Sequence, residues 1–215
     1  MEHVDDKERA RLKRMLVFEE ECYRQGFRCV AGLDEAGRGP LAGPVVAGAV
    51  VLSPGSLIVG LDDSKRLTFS ERSLLYPRIL EKAIAVGIGV VTHDIIDQIN
   101  ILQATLLAMK RALESLSVSL DCLLVDALTL PFLTLPQKAL IKGDQRSLSI
   151  AAASVVAKVT RDRMMQEYHQ RYPQYGFLSH KGYGTPEHLK RLRLYGPCEI
   201  HRKTFRGVEN RSLDG

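Results

Sequence analysis

Two adjacent carboxylates, Asp34 and Glu35, stand just ahead of a Gly-Arg-Gly segment formed by Gly37, Arg38 and Gly39. Neighbouring side chains on a strand point to opposite faces. Both acids therefore approach one ion only where the chain can turn at the strand's end. Gly37 and Gly39 leave the backbone bare enough for a ligand to come close, and Arg38 brings a guanidinium suited to phosphate. An acidic turn with glycine for geometry is the competing account of these residues. A third carboxylate, Asp126, ends the apolar run Cys122-Leu123-Leu124-Val125. The carboxyl ends of strands are where open α/β sheets bind ligands, although an Asp there can also cap the next turn. A fourth, Asp144, lies between Lys142 and Arg146 just before an Ala-rich segment. It suits a helix N-terminus, where the dipole favours an acid, and equally a pocket shared with the other three. Four carboxylates with no His or Cys among them form a hard oxygen donor set, fit for Mg²⁺ or Mn²⁺ and not for zinc.

Further polar groups extend the pattern. Asp63-Ser64-Lys65 lies on a loop where Ser64 and Lys65 can hold a phosphate or cap the helix that follows. Lys181 and Tyr183, interleaved with Gly182 and Gly184, directly precede a helix N-terminus and suit sugar or phosphate contacts. A packed Tyr183 ring is the plainer alternative. Lys190, Arg191 and Arg193, and the tail residues His201, Arg202, Lys203 and Arg206, read either as bases tracking a nucleic-acid backbone or as ordinary solvated surface.

The elements that must position these groups follow from periodicity. Residues 5–24 predict one amphipathic helix, with Leu12, Met15, Leu16 and Tyr23 near one stripe and Gly26 as a stop. Cys29–Leu33 and Val45–Leu52 predict neighbouring strands. A helix with Pro77 inside it runs from Ser70 to about Lys82, and Ala83–Thr92 predicts a third strand. Residues 97–116 carry apolar side chains at helical spacing. Asp121–Asp126 and Lys138–Ile141 predict strands four and five, and Ser149–His169 a helix packed on the sheet. Thr185 and Pro186 form an N-cap and first-turn pair, and Gly196 ends that last helix. This order implies an α/β fold: a mixed five-stranded sheet flanked by helices. The chain divides into an N-terminal helix (1–25), a catalytic domain (26–185) and a C-terminal helical extension of it (186–215).

Composition narrows the class. The chain has 215 residues, 45% hydrophobic and 26% charged, with 17 Gly and 9 Pro. Those are ordinary globular values that exclude disordered and fibrous readings. The longest apolar stretch, Val45–Leu52, is far short of the ~18 residues of a membrane span. The first residues lack the apolar core of a secretory signal, and the four cysteines lack zinc-like spacing and read as reduced thiols of a cytoplasmic protein. Residues 138–206 hold 14 Lys/Arg against 5 Asp/Glu, whereas the remainder is mildly acidic. Such a basic third suggests one face for a polyanion.

Five stretches, in order and spacing, resemble ribonuclease HII of bacteria over roughly residues 26–206: GLDEAGRGPLAGPVVAGAVVL, DDSKRL, LLVDAL, IKGDQRSLSIAAASVVAKVTRDR and HKGYGTPEHL. The resemblance implies a ribonuclease H-like mixed sheet with a helical C-terminal part. It implies cleavage of the RNA strand of RNA–DNA hybrids and incision at single ribonucleotides embedded in duplex DNA. The family's acids map onto Asp34, Glu35, Asp126 and Asp144, its junction-reading motif onto Gly37, Arg38 and Gly39, and its sugar-stacking tyrosine onto Tyr183. The related type HIII enzymes carry an additional N-terminal domain, and only about 30 residues precede the first strand here. Tyr183-Gly184-Thr185 differs from members with proline in the middle position; no catalytic acid is lost.

On that resemblance two divalent ions, Mn²⁺ or Mg²⁺, are held with Asp34 and Asp126 nearest both, and Glu35 and Asp144 completing one site each. Products then end in 5′-phosphate and 3′-hydroxyl. Lys65, Lys142, Arg146 and Lys181 are expected on phosphates, so sequence preference is weak and salt dependence steep. A monomer is expected. The rival readings are another ribonuclease H-like nuclease, integrase-like, and a nucleic-acid-binding protein whose acids are structural.

Overall fold

The structure is a computed structural model that describes residues 5–208; the outermost parts of the N-terminal and C-terminal segments named above lie outside it. The first segment forms two helices, α1 (Asp6–Met15) and α2 (Val17–Arg24), in place of the single helix predicted over 5–24. Leu12, Met15 and Leu16 are all buried in one core cluster. The consecutive pair Met15 and Leu16 reaches that core where the chain redirects, and α2 then packs Cys22 into a separate cluster.

Five strands form one sheet: β1 (Val30–Ala36), β2 (Val45–Leu52), β3 (Ala83–Val91), β4 (Cys122–Asp126) and β5 (Gln137–Leu140). Their spatial order is β3-β2-β1-β4-β5. β2 pairs antiparallel with β1 and β3, while β1, β4 and β5 run parallel. The mixed sheet is therefore present as expected. β1 extends to Ala36, three residues beyond the predicted Cys29–Leu33, because Asp34, Glu35 and Ala36 remain paired to β2.

Helices cover both faces. α3 (Phe69–Lys82) begins at a Thr68–Glu71 capping box and continues through Pro77. It shares one core cluster with α1, with Val50 and Leu52 of β2, and with α5 (Leu148–Arg171). α4 (His93–Glu114) packs on the other face against Val45, Ala47, Ala49 and Val51. β2 is thus buried on both sides, which explains its unbroken apolar sequence. The helix predicted over 97–116 starts four residues earlier and breaks at Asn100, whose φ is 64°. Asn100 Oδ1 accepts the amides of Leu102 and Gln103, so it caps the second piece from inside.

α5 lies so close to the sheet that a Cβ on Gly32 of β1 would run into the backbone of Ser149 and Ile150. One short helical turn, Pro173–Tyr175, leads from α5 to α6 (Phe177–His180), and α7 (Pro186–Tyr195) follows. Thr185 Oγ1 accepts the His188 amide at the start of α7, and Gly196 follows its last residue, as predicted. The segment 41–43 lies between Gly182 and the stretch 200–202, joined by backbone hydrogen bonds to both. The four cysteines form no disulfide. Among the described residues no helix is long and apolar enough to cross a membrane.

Candidate active site

Because β1 and β4 are parallel neighbours with Leu33 opposite Val125, their next residues, Asp34 and Asp126, emerge side by side at the same end of the sheet. A 3-10 turn, Gly143–Gln145, brings Asp144 to the same place. The Gly143 amide donates to Asp126 Oδ1 at 2.7 Å, which fixes that turn to the end of β4. Asp34, Asp126 and Asp144 each offer one oxygen within 4.8 Å of the others. Glu35 is not one of this close trio. It stays in the strand, pairs in register with Ala47, and alternates away from Asp34, although it lines the same cleft.

The site is electrostatically strained. Asp34 is only 2% exposed, and burial, reinforced by the charge of Glu35, pushes its carboxyl well above the usual carboxylate range. Burial likewise raises Glu35, against the opposing pull of Arg38, whose Nη1 lies 3.2 Å from Glu35 Oε1. Asp144 is raised by burial and then by the charge of Asp63. Asp34 Oδ2 and Glu35 Oε2 are buried and accept no hydrogen bond. Buried acceptors left in that state are costly. The orphaned Asp34 carboxylate, converging with Asp126 and Asp144, is the oxygen donor set a hard divalent cation requires, so these residues fit Mg²⁺ or Mn²⁺.

The cleft around them has a volume of about 180 Å³ and is lined by Asp34, Glu35, Asp126, Gly37, Arg38, Gly39, Ser64, Lys65 and Tyr183. Lys65 Nζ sits 3.3 Å from Asp144 Oδ2, and Ser64 Oγ bonds Ser154 Oγ at 2.8 Å. Tyr183 is 43% exposed, not a packed ring. The remaining expected residues lie elsewhere. Lys181 lines an adjoining cavity of about 470 Å³, which shares Tyr183 with the cleft, and its ammonium bonds Leu178 O. Arg146 opens onto a separate groove beside α1 and α2, with its guanidinium 5.0 Å from the Phe18 ring centroid. Lys142 is exposed in left-handed backbone.

Sequence reasoning missed three groups. Lys158 lines both the cleft and the adjoining cavity. Its ammonium meets Asp162 at 2.6 Å, and burial lowers its pKa against the pull of that acid. The signal was present as a Lys–Asp pair four residues apart where the apolar first half of α5 ends. Glu19 is 2% exposed and its Oε1 accepts from Ser147 Oγ, Ser149 N and Ser149 Oγ at the start of α5. His201 and Arg202, read as tracking bases or solvated surface, are both fully buried. Their surroundings are the loops of the cleft, as described below.

A sequence model of the family described as Ribonuclease HII matches residues 31–208. The chain belongs to the ribonuclease HII family. The ribonuclease HII of Geobacter metallireducens is 58% identical over 193 residues, covering 90% of this chain and 91% of that one. That of Ruminiclostridium cellulolyticum is 52% identical over 205 residues, covering 95% and 80%. Among solved structures, ribonuclease H2 from Pyrococcus horikoshii superposes with a TM-score of 0.70 at 30% identity, over 84% of this chain and 95% of that chain. As a ribonuclease HII, the protein is a metal-dependent endoribonuclease of the ribonuclease H type, acting on RNA–DNA hybrids.

Proposed function

We propose that this ribonuclease HII also incises duplex DNA on the 5′ side of single embedded ribonucleotides, using two divalent ions and leaving 5′-phosphate and 3′-hydroxyl ends. The observation that carries the reading is the convergence of Asp34, Asp126 and Asp144 in one cleft with the Gly37–Gly39 loop and the exposed Tyr183 ring. The acids supply the reaction centre, and the loop and ring can examine one sugar beside it.

Asp34, Asp126 and Asp144 would hold the ions, with Glu35 completing the set from the opposite side of β1. When bound, Mg²⁺ or Mn²⁺ supplies charge stabilisation at the phosphate and activates water near neutral pH. The chain's own groups do the rest. Lys65, beside Asp144, and Lys158, at the border of the two cavities, place positive charge near the phosphodiester. Tyr183 offers its ring face to the sugar, and the backbone of Gly37–Gly39 lies close enough to test for a 2′-hydroxyl, the group that distinguishes RNA from DNA at one nucleotide. Phosphate contacts by Lys181 in the adjoining cavity and by Arg146 and Lys142 further out set register without reading bases. The enzyme acts as a monomer in the cytoplasm on this reading.

The test is a labelled duplex carrying one ribonucleotide, with all-DNA and all-RNA controls, in Mn²⁺, Mg²⁺ or EDTA, and with analysis of the product ends. Incision only 5′ to the ribonucleotide, abolished by EDTA, is expected. Equal cleavage of the all-DNA duplex would sink ribose reading, and cleavage retained in EDTA would sink the metal scheme.

A further inference from the structure

Two arginines are fully buried beneath the cleft, and among the described residues neither forms an ion pair with a carboxylate. Their partners are six backbone carbonyls. Arg202 donates from Nη2 to Gly37 O at 2.6 Å, from Nη1 to Arg38 O at 2.9 Å and from Nε to Gly43 O at 3.0 Å. Arg161 donates from Nε to Pro44 O at 3.0 Å, from Nη1 to Lys181 O at 3.0 Å and from Nη2 to Ala42 O at 3.1 Å. Burying a guanidinium without an acid is expensive, and all six of these hydrogen bonds go to two backbone segments, 37–44 and Lys181, whose Gly37–Gly39 and neighbouring Tyr183 line the cleft. Gly37 has a φ of 99°, and a Cβ there would strike the Arg161 side chain, so the loop lies directly against these cations.

This contact decides where the loop's amides point. In a trans peptide the C=O and the N–H that follows it are antiparallel, and no peptide bond here is cis. With the carbonyls of Gly37 and Arg38 converging on Arg202, the N–H groups of Arg38 and Gly39 face away from it. Among the described residues neither amide has an acceptor. Successive amides aimed to one side form a nest for an electron-rich oxygen. Gly39 lies on the Tyr183 side, where an added Cβ would come 3.9 Å from the ring.

We propose that Arg202 is the positioning residue for ribose recognition: its fork pulls two carbonyls of the Gly37–Gly39 loop inward and thereby aims the Arg38 and Gly39 amides at the sugar oxygen. Arg161 ties the same loop to the Tyr183 loop through Lys181 O, so the amides and the stacking ring are held in one register. Neither arginine touches substrate. A lysine at 202 keeps the charge but cannot span two carbonyls with a planar fork. The inference rests on the ribose-reading function proposed above.

The experiment measures binding of the full chain, in Ca²⁺, to a duplex with one ribonucleotide and to the same duplex in all-DNA form. The ratio of the two affinities reports ribose reading. In Arg202→Lys the ratio is expected to fall about tenfold, with all-DNA affinity and the Mn²⁺ titration unchanged. Met109→Ala, a core truncation in α4 on the far face of the sheet, serves as a control for lost stability and should keep the wild-type ratio. An unchanged ratio in Arg202→Lys, or an equal fall in Met109→Ala, overturns the proposal. A wild-type ratio near one instead overturns ribose reading itself, and this inference with it. Should Arg202→Lys not fold, hydrogen exchange in the wild-type protein decides. The Arg38 and Gly39 amides should exchange freely in the free enzyme and slow only with the ribonucleotide duplex; protection in the free enzyme overturns the proposal.

Discussion

Asp126 and Gly143 are joined by a 2.7 Å hydrogen bond from the Gly143 amide to Asp126 Oδ1. One oxygen of this carboxylate thus holds the turn that presents Asp144, while its other oxygen is free to face the cleft.

The two roles separate by substitution. Asp126→Asn keeps an acceptor at Oδ1 and loses the charge, so Mn²⁺ binding and cleavage should fall at least a hundredfold with little change in metal-free Tm. Asp126→Ala also leaves the Gly143 amide unpaired and should cost a further ~1–3 kcal/mol. Calorimetric Mn²⁺ titration and thermal melts in EDTA measure both; equal melting of the two variants would count against the scaffolding role.

Asp34 is held in a state that suits a cation and not an empty cleft. Its folded pKa is raised above its unfolded value, so its ionisation opposes folding at neutral pH, and that penalty fades as pH falls through the raised pKa. In EDTA at neutral pH, Asp34→Asn should therefore melt higher than wild type, by ~2–4 °C for each kcal/mol relieved. The gap should close on acidification, while cleavage is lost throughout. A lower Tm for Asp34→Asn at neutral pH would refute this account.

Acid acts in the opposite direction on the histidines around α7. His188 and His201 meet through their Nε2 atoms at 3.1 Å, and burial lowers each to about 4. Groups whose folded pKa is depressed bind more protons when unfolded, so stability is lost as pH falls from the unfolded pKa near 6.5 to about 4. The slope is about 1.4 kcal/mol per pH unit for each histidine. Urea unfolding at pH 7, 6 and 5 measures it, and His201→Gln should flatten the curve. An identical pH dependence in that variant would exclude the pair as its source.

Glu19 is the carboxylate that starts α5. With three donors on Oε1, Glu19→Ala strands a buried amide and two hydroxyls and should cost ~2–4 kcal/mol. Asp144 lies three residues ahead of Ser147, so kcat should drop more than KM rises. Denaturation midpoints within ~0.5 kcal/mol of wild type would argue against this cap.

What was legible in the sequence was what neighbours in the chain decide. Thr185, Pro186 and Gly196 bound α7 through local capping, and β4 ends on Asp126 because a single carboxylate closes an apolar run. The convergence of Asp34, Asp126 and Asp144 was readable only as a family pattern, since parallel pairing of β1 with β4 creates it across most of the chain. Where local rules misled, the reason is physical. Asn100 breaks α4 within an unbroken apolar periodicity because its side chain caps the helix from within. Met15 and Leu16 both serve the core and split one predicted helix into two. Arg202 looked like surface because Lys and Arg are mostly exposed, and nothing near it in sequence announces partners 164 and 165 positions away.

That separation also has a temporal meaning. A ribosome makes Gly37 165 residues before Arg202, an interval on the order of ten to thirty seconds at ~5–20 residues per second. Throughout it, the glycine loop exists without its anchor, and for much of it without Asp126 and Asp144 as well. The acids are thereby complete in the chain before the arginine on which selectivity depends. A chain interrupted before its two hundredth residue carries all four acids but not the arginine that aims the glycine loop's amides.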